Sequence, residues 1–300
     1  MKPLKADLLL ILVTLFWGSS YLFMKMGLES LGEFNLIALR FGFAFLLASA
    51  IFFRRLRNSN LKTFKYASLL GFILFVVFIA ITFGLKTTST SNAGFLVSLT
   101  VIFVPLISIF VFKRKIELKL IISILLAMTG IALMTIQLPF KITLGDLLCI
   151  ATALFYAIHI IVVSFAAQEV DTLNLGILQL GFAALYGLIF SFIFETPSLP
   201  DTANAWIAIL VLSIFCSALG FIIQIVAQKY TSATRTGLIF SLEPVFAALF
   251  GYLFAHEILS INGYIGAFLV LFSVILSSVK LNIPDKSRLS ISKPRKKKFG

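Results

Sequence analysis

Long runs of apolar residues, separated by short polar stretches, dominate this chain of 300 residues. A helix needs roughly 20 consecutive apolar residues to cross a hydrocarbon core about 30 Å thick. The pattern predicts ten membrane-spanning helices, at about residues 7–28, 34–53, 66–85, 91–112, 119–137, 145–166, 174–194, 204–228, 233–254 and 261–280. The separators leave no room for an extramembrane domain, so we expect the protein to act within the bilayer.

The composition supports a membrane protein. Hydrophobic residues make up 60% of the chain and charged residues 12%, whereas a soluble globular domain is about a quarter charged. The apolar run that follows Lys5 continues past the length of a cleavable signal, so we expect the first segment to remain as a span. Cys149 and Cys216 lie inside apolar runs and indicate neither a disulfide framework nor a metal site.

The positions of lysine and arginine predict the orientation. With the N-terminus in the cytoplasm, 21 of the 25 lysines and arginines fall on the cytoplasmic side. Lys86 and Lys141 fall outside, and Lys25 and Arg40 lie within spans. We therefore expect both termini in the cytoplasm and a multi-pass protein of the bacterial inner (cytoplasmic) membrane. Its basic loops and the basic tail at 281–300 should contact anionic lipid headgroups rather than nucleic acid.

The chain also repeats itself. At an offset of 139 residues, 15–17 match 154–156, 35–36 match 174–175, and 39–44 match 178–183; at an offset of 143, 86–89 match 229–232 and 94–99 match 237–242. Each repeat contains five spans, and an odd number places the second copy in the opposite orientation. The predicted fold class is therefore an all-α integral membrane protein of two inverted five-helix repeats, with a substrate site near the midplane between them.

Several motifs resemble those of the drug/metabolite transporter superfamily, EamA branch. They are the segment 15–21 (Leu-Phe-Trp-Gly-Ser-Ser-Tyr), Lys25, Arg40, the segment 241–248 (Ser-Leu-Glu-Pro-Val-Phe-Ala-Ala) and Glu257. The resemblance covers about residues 6–280. It implies a ten-span carrier of small metabolites that works by alternating access, with EamA repeats at 1–140 and 141–280, and it favours export. The chain departs from the pattern at Lys113-Arg114-Lys115, where an acidic residue is usual, and in its long basic tail.

Ionisable residues within spans are costly and are therefore the first functional candidates. Glu243 would bind a proton or a cationic group of the substrate, or else stay neutral and tie down the backbone near Pro244. Lys25 and Arg40 would hold a substrate carboxylate; alternatively, Lys25 snorkels to the outer headgroups and Arg40 pairs with Glu33 or with a helix C-terminus. Gln179 stands at the position of Arg40 in the second repeat.

Aromatic and polar residues complete the predicted cavity. Trp17 and Tyr156 are repeat partners at mid-depth and would flank an organic substrate, or else simply pack helices together. His159 lies one turn after Tyr156 and would share its face, although a lone buried histidine is more often a packing residue. The remaining predicted lining residues are Ser20 and Ser98. Pro105 and Pro244 are predicted helix breaks with a role in gating, or kinks that serve packing alone.

The predicted function is secondary transport of an amino acid or a similar zwitterionic or aromatic metabolite, with export favoured. The alternative is an uptake carrier or exchanger for a nucleoside-like metabolite such as S-adenosylmethionine. An enzyme is not expected, because 256–260 lack the second histidine of a His-Glu-x-x-His motif and no glycine is followed by lysine to form a phosphate-binding loop. We expect no cofactor and no metal, and a proton is a candidate coupling ion.

Overall fold

The computed structural model describes residues 1–112, 117–135, 143–255 and 260–278, and these residues form helices joined by short connections. The helices are α1 Pro3–Gly18, α2 Ser20–Leu28, α3 Glu33–Leu56, α4 Leu61–Gly84, α5 Thr90–Val97, α6 Thr100–Phe112, α7 Leu118–Thr135, α8 Leu144–Glu169, α9 Thr172–Phe194, α10 Ala203–Val211, α11 Gly220–Gln228, α12 Ala233–Phe240, α13 Glu243–Ala255 and α14 Ile261–Ser278. A π-helix, Leu212–Leu219, joins α10 to α11.

Within the described residues, eight helical segments are long and apolar enough to cross a membrane, which is consistent with an all-α integral membrane protein. They are Pro3–Leu28, Glu33–Leu56, Leu61–Gly84, Asn92–Val111, Leu144–Glu169, Thr172–Phe194, Ala203–Gln228 and Ala233–Phe250. Two further apolar helices, Leu118–Met134 and Ile261–Ser277, are shorter. These ten segments coincide with the ten runs that the sequence predicts, whereas the number that crosses the membrane stays a prediction.

Two spans are broken at equivalent positions. The fourth span breaks between α5 and α6, at Ser98 and Leu99, and the ninth between α12 and α13, at Ser241 and Leu242. The two breaks lie 143 residues apart, which is the offset found between the repeats in the sequence. The helices α5 and α12 have the same length, and so do α6 and α13. A third break, at Ser19, separates α1 from α2.

The prolines do not coincide with the breaks as expected. Pro244 is the second residue of α13, where the ring is tolerated because a first-turn N–H has no helical acceptor. Pro105 lies inside α6, and the chain stays helical from Thr100 to Phe112. The predicted break at Pro105 is therefore corrected to Ser98 and Leu99, where the backbone leaves the helix about two turns earlier.

At each break a serine hydroxyl donates to a carbonyl of the preceding turn. Ser98 Oγ donates to the Gly94 carbonyl at 2.7 Å, and Ser241 Oγ donates to the Leu238 carbonyl at 2.6 Å. At the third break, Ser19 Oγ donates to the Phe16 carbonyl at 2.8 Å. Because lipid offers no hydrogen bonds, such internal partners are what allows a span to break inside a membrane.

Helix packing pairs the two halves of the chain. Equivalent helices contact each other directly, α3 with α9 and α7 with α14. The contact between α3 and α9 is reciprocal at the offset of 139: a Cβ added to Gly42 would lie 3.9 Å from Ala184 Cβ, and one added to Gly181 would lie 2.9 Å from the Phe45 ring. A Cβ on Gly130 would lie 2.6 Å from the carbonyl oxygen of Gly266, so α7 and α14 meet backbone to backbone.

Polar contacts at one end of the bundle involve the N-terminal region and the α3–α4, α8–α9 and α11–α12 connections. We call this end of the bundle the basic end. Arg55 pairs with Asp171 at 2.7 Å, Arg235 pairs with Asp7 at 2.5 Å, and Lys62 pairs with Glu169. Gln168 Nε2 also donates to the Lys229 carbonyl at 2.9 Å, which joins the end of α8 to the α11–α12 connection.

The opposite end is joined by a different set of contacts. Glu195, after α9, accepts the backbone N–H groups of Phe34 and Asn35 at 3.0 and 2.8 Å, at the start of α3. Lys86, after α4, pairs with Glu33. Asp146, at the start of α8, accepts from Asn92 at 2.5 Å and from Thr88. The connections before α3, α5, α8 and α10 therefore share this end.

Several sequence expectations fall outside the described residues. They concern Lys113-Arg114-Lys115, the connection around Lys141, the segment with His256 and Glu257, and the basic tail at 281–300.

We expect the substitution Gly71→Ala to destabilise the bundle. An added Cβ would lie 2.6 Å from Phe182 Cβ and 2.8 Å from the Gln179 carbonyl oxygen. Overpacking of this kind costs about 1–3 kcal/mol, which exceeds or offsets the gain of up to about 1 kcal/mol in helix propensity. The measurement is the Tm of the detergent-purified protein. Gly42→Ala is the matched control, since its nearest neighbour is Ala184 Cβ at 3.9 Å; equal Tm values for the two variants would contradict the packing described here.

Candidate functional site

A small cavity of about 50 Å³ lies among α1, α2, α3, α4, α5, α8, α11 and α13. Its walls are Trp17, Ser20, Tyr21, Met24, Arg40, Val77, Phe78, Ile81, Val97, Thr152, Tyr156, Phe221 and Glu243. Five of the predicted site residues are therefore brought together here, from spans far apart in the sequence: Trp17, Ser20, Arg40, Tyr156 and Glu243. We call this space the central cavity.

Trp17 is held in place by a backbone group of another span. It lies in the last turn of α1, and its indole N–H donates to the carbonyl of Cys216 at 2.8 Å. Cys216 belongs to the π-helix Leu212–Leu219. A π-helical turn shifts the usual backbone bonding by one residue, and such turns are frequent at functional sites. The irregular turn thus fixes the tryptophan ring at the cavity.

Two glycines allow the close approaches that shape this wall. A Cβ added to Gly220 would lie 2.7 Å from Trp17 Nε1, so a glycine leaves room for the indole. A Cβ added to Gly18 would lie 2.7 Å from Phe246 Cβ and 2.9 Å from the backbone nitrogen of Ala247. Gly18 therefore lets α13 pack directly on the end of α1, next to the break at Ser19.

An aromatic cluster forms the side of the cavity around Trp17. Its ring centre lies 5.7 Å from Tyr156, 5.0 Å from Phe221 and 4.9 Å from Phe240. The rings of Trp17 and Tyr156 meet edge to face, at 73°. These are ordinary aromatic packing distances, so the repeat partners Trp17 and Tyr156 touch each other directly in this state.

Arg40 is a fully buried cation that lacks a carboxylate partner among the described residues. Its exposed fraction is 0%, and its Nε donates to Ser217 Oγ at 3.1 Å. The guanidinium carbon lies 4.3 Å from the ring centre of Phe78, a cation–π contact. Nη1 is buried without a hydrogen-bond partner. A buried charge with an unused donor is costly unless a ligand uses that donor.

Glu243 places a carboxyl group on the wall of the same cavity. It is the first residue of α13, directly after the break in the ninth span, where the helix N-terminus favours a negative charge. The Tyr21 hydroxyl lies beside its carboxyl group. Arg40 and Glu243 both line the central cavity, yet neither is in an ion pair that the structure records.

His159 and Gln179 form a buried polar pair next to the cavity rather than part of its wall. The His159 Nε2 lies 3.1 Å from Gln179 Oε1, and both residues are 0% exposed. The His159 ring stacks on Tyr156 with ring centres 5.7 Å apart. His159 Nδ1 and Gln179 Nε2 have no hydrogen-bond partner. In the repeat, the pair occupies the positions of Ser20 and Arg40, so the second half places a neutral pair where the first has a cation.

Lys25 and Ser98 do not line the cavity. Lys25 lies exposed on α2, as expected if it reaches the headgroups. Ser98 is buried, and its hydroxyl bonds the Gly94 carbonyl at the break in the fourth span. The expectation of a cavity position is therefore corrected for both: the side chain of Lys25 faces outward, and the hydroxyl of Ser98 is used by its own helix.

A second, larger space lies at the basic end, and we call it the basic-end cleft. Its volume is about 700 Å³. The walls come from α6 to α8, α12, α14 and the connection before α12, and include Glu117, Lys119, Ser164, Gln168, Glu169, Thr231 and Arg235. Polar groups of both signs line it, and its size is that of a typical small-molecule site.

Several residues in the central cavity or in contact with its walls were not predicted from the sequence. Tyr21 is in the quoted motif, yet only the fold places its hydroxyl beside Glu243. Phe78 and Phe221 are two of 33 phenylalanines, and nothing in an apolar run marks them as contacts of Arg40 or Trp17. Gln224 carried a usable signal, because an amide within the apolar run 204–228 is itself unusual.

Comparisons with known proteins agree with these observations. The EamA-like transporter family model matches residues 4–136 and 143–279, once in each half. An uncharacterized transporter of Archaeoglobus fulgidus is 31% identical over 93% of this chain and 88% of its own length. The uncharacterized transporter YoaV of Bacillus subtilis is 25% identical over 91% of this chain and 97% of its own. One crystal structure shares the fold, with a TM-score of 0.76 at 18% identity over 91% of this chain and 96% of that one.

We expect Gly220→Ala to displace the Trp17 ring, because the added methyl group would lie 2.7 Å from its indole nitrogen. The chain has two tryptophans, so Trp206→Phe leaves Trp17 as the reporter, and its fluorescence emission should shift to longer wavelength when the indole leaves its buried site. Gly94→Ala is the control, since its Cβ would lie 3.9 Å from Tyr21 Cε2. Identical Trp17 emission in both variants would rule out the contact.

Proposed function

This chain belongs to the EamA-like transporter family, a family of membrane transporters, as its motifs indicated, and we propose that it is a secondary carrier of a small zwitterionic metabolite such as an amino acid. The substrate would bind in the central cavity and reach the two sides by alternating access, with export as the direction. Family membership favours transport over catalysis.

The single observation that supports this substrate class is the pairing of opposite charges around one cavity. Arg40 offers an unused N–H donor for a carboxylate, and Glu243 offers an acceptor for an ammonium group. The aromatic cluster around Trp17 would cover the rest of the substrate. A zwitterion fits both ends of such a site, whereas a purely anionic or cationic solute would leave one buried charge without a partner.

The cavity volume supports a cycle in which the walls move. About 50 Å³ holds one or two water molecules, whereas small-molecule sites measure roughly 300–1,000 Å³. The breaks at Ser98 and Leu99 and at Ser241 and Leu242 flank the cavity in both halves and would act as hinges. In our proposal the structure is a contracted state without substrate.

The compact aromatic cluster favours a small zwitterion over a nucleoside-like solute. Trp17 and Tyr156 touch edge to face, so a base would have to separate the rings in order to stack between them. A nucleoside-like substrate such as S-adenosylmethionine, taken up or exchanged, remains the second candidate because the same rings would bind it once parted.

We also propose ten spans in two inverted repeats. The Asp146 contacts bring the start of α8 to the same end of the bundle as the start of α5. The two segments between these points, Asn92–Val111 and Leu118–Met134, must therefore either both cross the membrane or both turn back within it. Asn92–Val111 is long enough to cross, which favours Leu118–Met134 as a span too. Its equivalent, α14, packs against it. Because lysines and arginines lie at the basic end, we propose that this end faces the cytoplasm.

The test of the substrate class is uptake into liposomes that contain only this protein, with a panel of radiolabelled amino acids and S-adenosylmethionine. We expect Arg40→Gln to weaken transport of the accepted amino acid about 10- to 100-fold, since a hydrogen bond to a charged group is worth about 1.5–3 kcal/mol. Lys25→Gln, an exposed cation changed in the same way, is the control. Equal losses in both variants, or transport of S-adenosylmethionine alone, would refute the proposed class.

A second experiment tests Glu243 as the proton-coupling group. We expect Glu243→Gln to abolish the dependence of flux on pH, because a carboxamide cannot exchange the proton that a carboxyl group carries. Flux is measured in the same liposomes at several external pH values. Glu29→Gln, at an exposed position, serves as the matched control. A pH dependence that persists in Glu243→Gln removes this residue from the coupling.

A further inference from the structure

The central cavity and the basic-end cleft are separated by a layer of side chains between α8 and α11. Tyr156 lines the cavity and Ser164 lines the cleft. Both are on α8, eight residues apart, so the layer is about 12 Å thick at 1.5 Å per residue. A solute that moves between the two spaces must pass through this layer.

The layer contains a continuous chain of hydrogen bonds. The Tyr156 hydroxyl donates to Gln224 Oε1 at 3.4 Å, and Gln224 Nε2 donates to Gln228 Oε1 at 3.4 Å. Gln228 Nε2 then donates to Ser164 Oγ at 2.8 Å and also to the Ile160 carbonyl. Gln224 and Gln228 are 0% and 1% exposed. The polar chain therefore runs from one space to the other through buried side chains.

Amide side chains in the interior of a membrane protein are costly unless they are hydrogen-bonded, and they either join helices or line a polar path. Gln224 and Gln228 lie one turn apart on α11 and share one face of the helix. Hydrogen bonds between helices in membranes are individually weak, so α8 and α11 can separate and close again. A carboxamide also donates and accepts, which suits both charged groups of a zwitterion.

Opening of this contact would also reach the cavity wall. The π-helix Leu212–Leu219 precedes α11 without interruption, and its Cys216 carbonyl holds the indole of Trp17. Displacement of the continuous helical segment 212–228 would therefore break the chain of hydrogen bonds and move the aromatic cluster at the same time.

We propose that Gln224 and Gln228 line the solute path between the basic-end cleft and the central cavity, and that their hydrogen bonds to Tyr156 and Ser164 close this path when no solute occupies it. The inference rests on the proposed carrier function. Its test needs no knowledge of the substrate, so failure of the gate and failure of the substrate assignment are separable.

The experiment measures access to the cavity with Ser20→Cys as the reporter, in a chain whose native cysteines carry Cys149→Ser and Cys216→Ser. A membrane-impermeant maleimide is added from either side of oriented membrane vesicles. We expect Gln228→Leu to speed labelling from the side of the basic end on the order of tenfold, since it removes two hydrogen bonds between α8 and α11 of about 0.6 kcal/mol each, in addition to the bond from Gln224 within α11. Labelling from the other side should not change.

Gln168→Leu is the matched control, because it removes a different bond between α8 and the end of α11, from Gln168 Nε2 to the Lys229 carbonyl, at an exposed position of the cleft outside the chain of bonds. Equal labelling of Ser20→Cys in the two leucine variants, or faster labelling from the other side only, would overturn the gate. Lys62→Cys, exposed at the basic end, shows which vesicle side carries that end. An error in the proposed orientation is thereby distinguished from a failure of the gate.

A disulfide cross-link between α8 and α11 tests the same contact and leaves Gln224 unchanged. The double substitution Ser164→Cys and Gln228→Cys joins α8 to α11 on oxidation. We expect labelling of Ser20→Cys from the basic end to fall on oxidation and to recover with dithiothreitol, the two gate cysteines being oxidised before the maleimide is added. Labelling that is unaffected by a cross-link shown to have formed would contradict the proposal.

Discussion

A buried arginine with an unused hydrogen-bond donor is the constraint around which the centre of this protein is arranged. The interior of a bilayer offers no water to Arg40, so its charge must be stabilised by the protein. Ser217 accepts one N–H and the Phe78 ring covers one face, while Nη1 is left without a partner. An ion pair within the protein would remove that cost, and Glu243 on the same cavity does not form one. This arrangement supports the proposal that the substrate is a zwitterion, which would bind Arg40 and Glu243 at the same time.

Irregular helices supply the rest of the site. At each of the three breaks a serine hydroxyl donates to a carbonyl of the preceding turn, and the π-helix presents the Cys216 carbonyl to Trp17. The breaks in the fourth and ninth spans are equivalent in the two halves, and each lies beside cavity residues: Val97 before one and Glu243 after the other. Interrupted spans at corresponding positions are where carriers with internal repeats place their solutes. In the proposed transport cycle, the irregular segments that position the binding groups would also act as the hinges.

The apolar runs and the offsets of 139 and 143 residues predicted the helices and the equivalence of the two halves, because both depend on length and order along the chain. The cost of burial also singled out Arg40 and Glu243. The same argument failed for Lys25, because a residue near the end of a span can turn its side chain outward, and sequence depth does not reveal the face. The predicted break at Pro105 was also wrong, since a helix can continue through a proline when neighbouring groups replace the backbone hydrogen bond that the proline removes. The contacts of Tyr21, Phe78 and Gln224 arise only from the packing of distant spans, which no local pattern specifies.

The central claim is that Arg40 recognises the carboxylate of a zwitterion, and the most direct measurement is ligand stabilisation of the purified protein. Each amino acid of a panel is compared with its own carboxamide, which keeps the ammonium group and the side chain but removes the negative charge. If Arg40 binds the carboxylate, at least one amino acid raises the Tm of the unsubstituted protein and its carboxamide does not. Neither compound then raises the Tm of the Arg40→Gln variant. An equal shift with both members of each pair, or no shift with any amino acid, would contradict this claim.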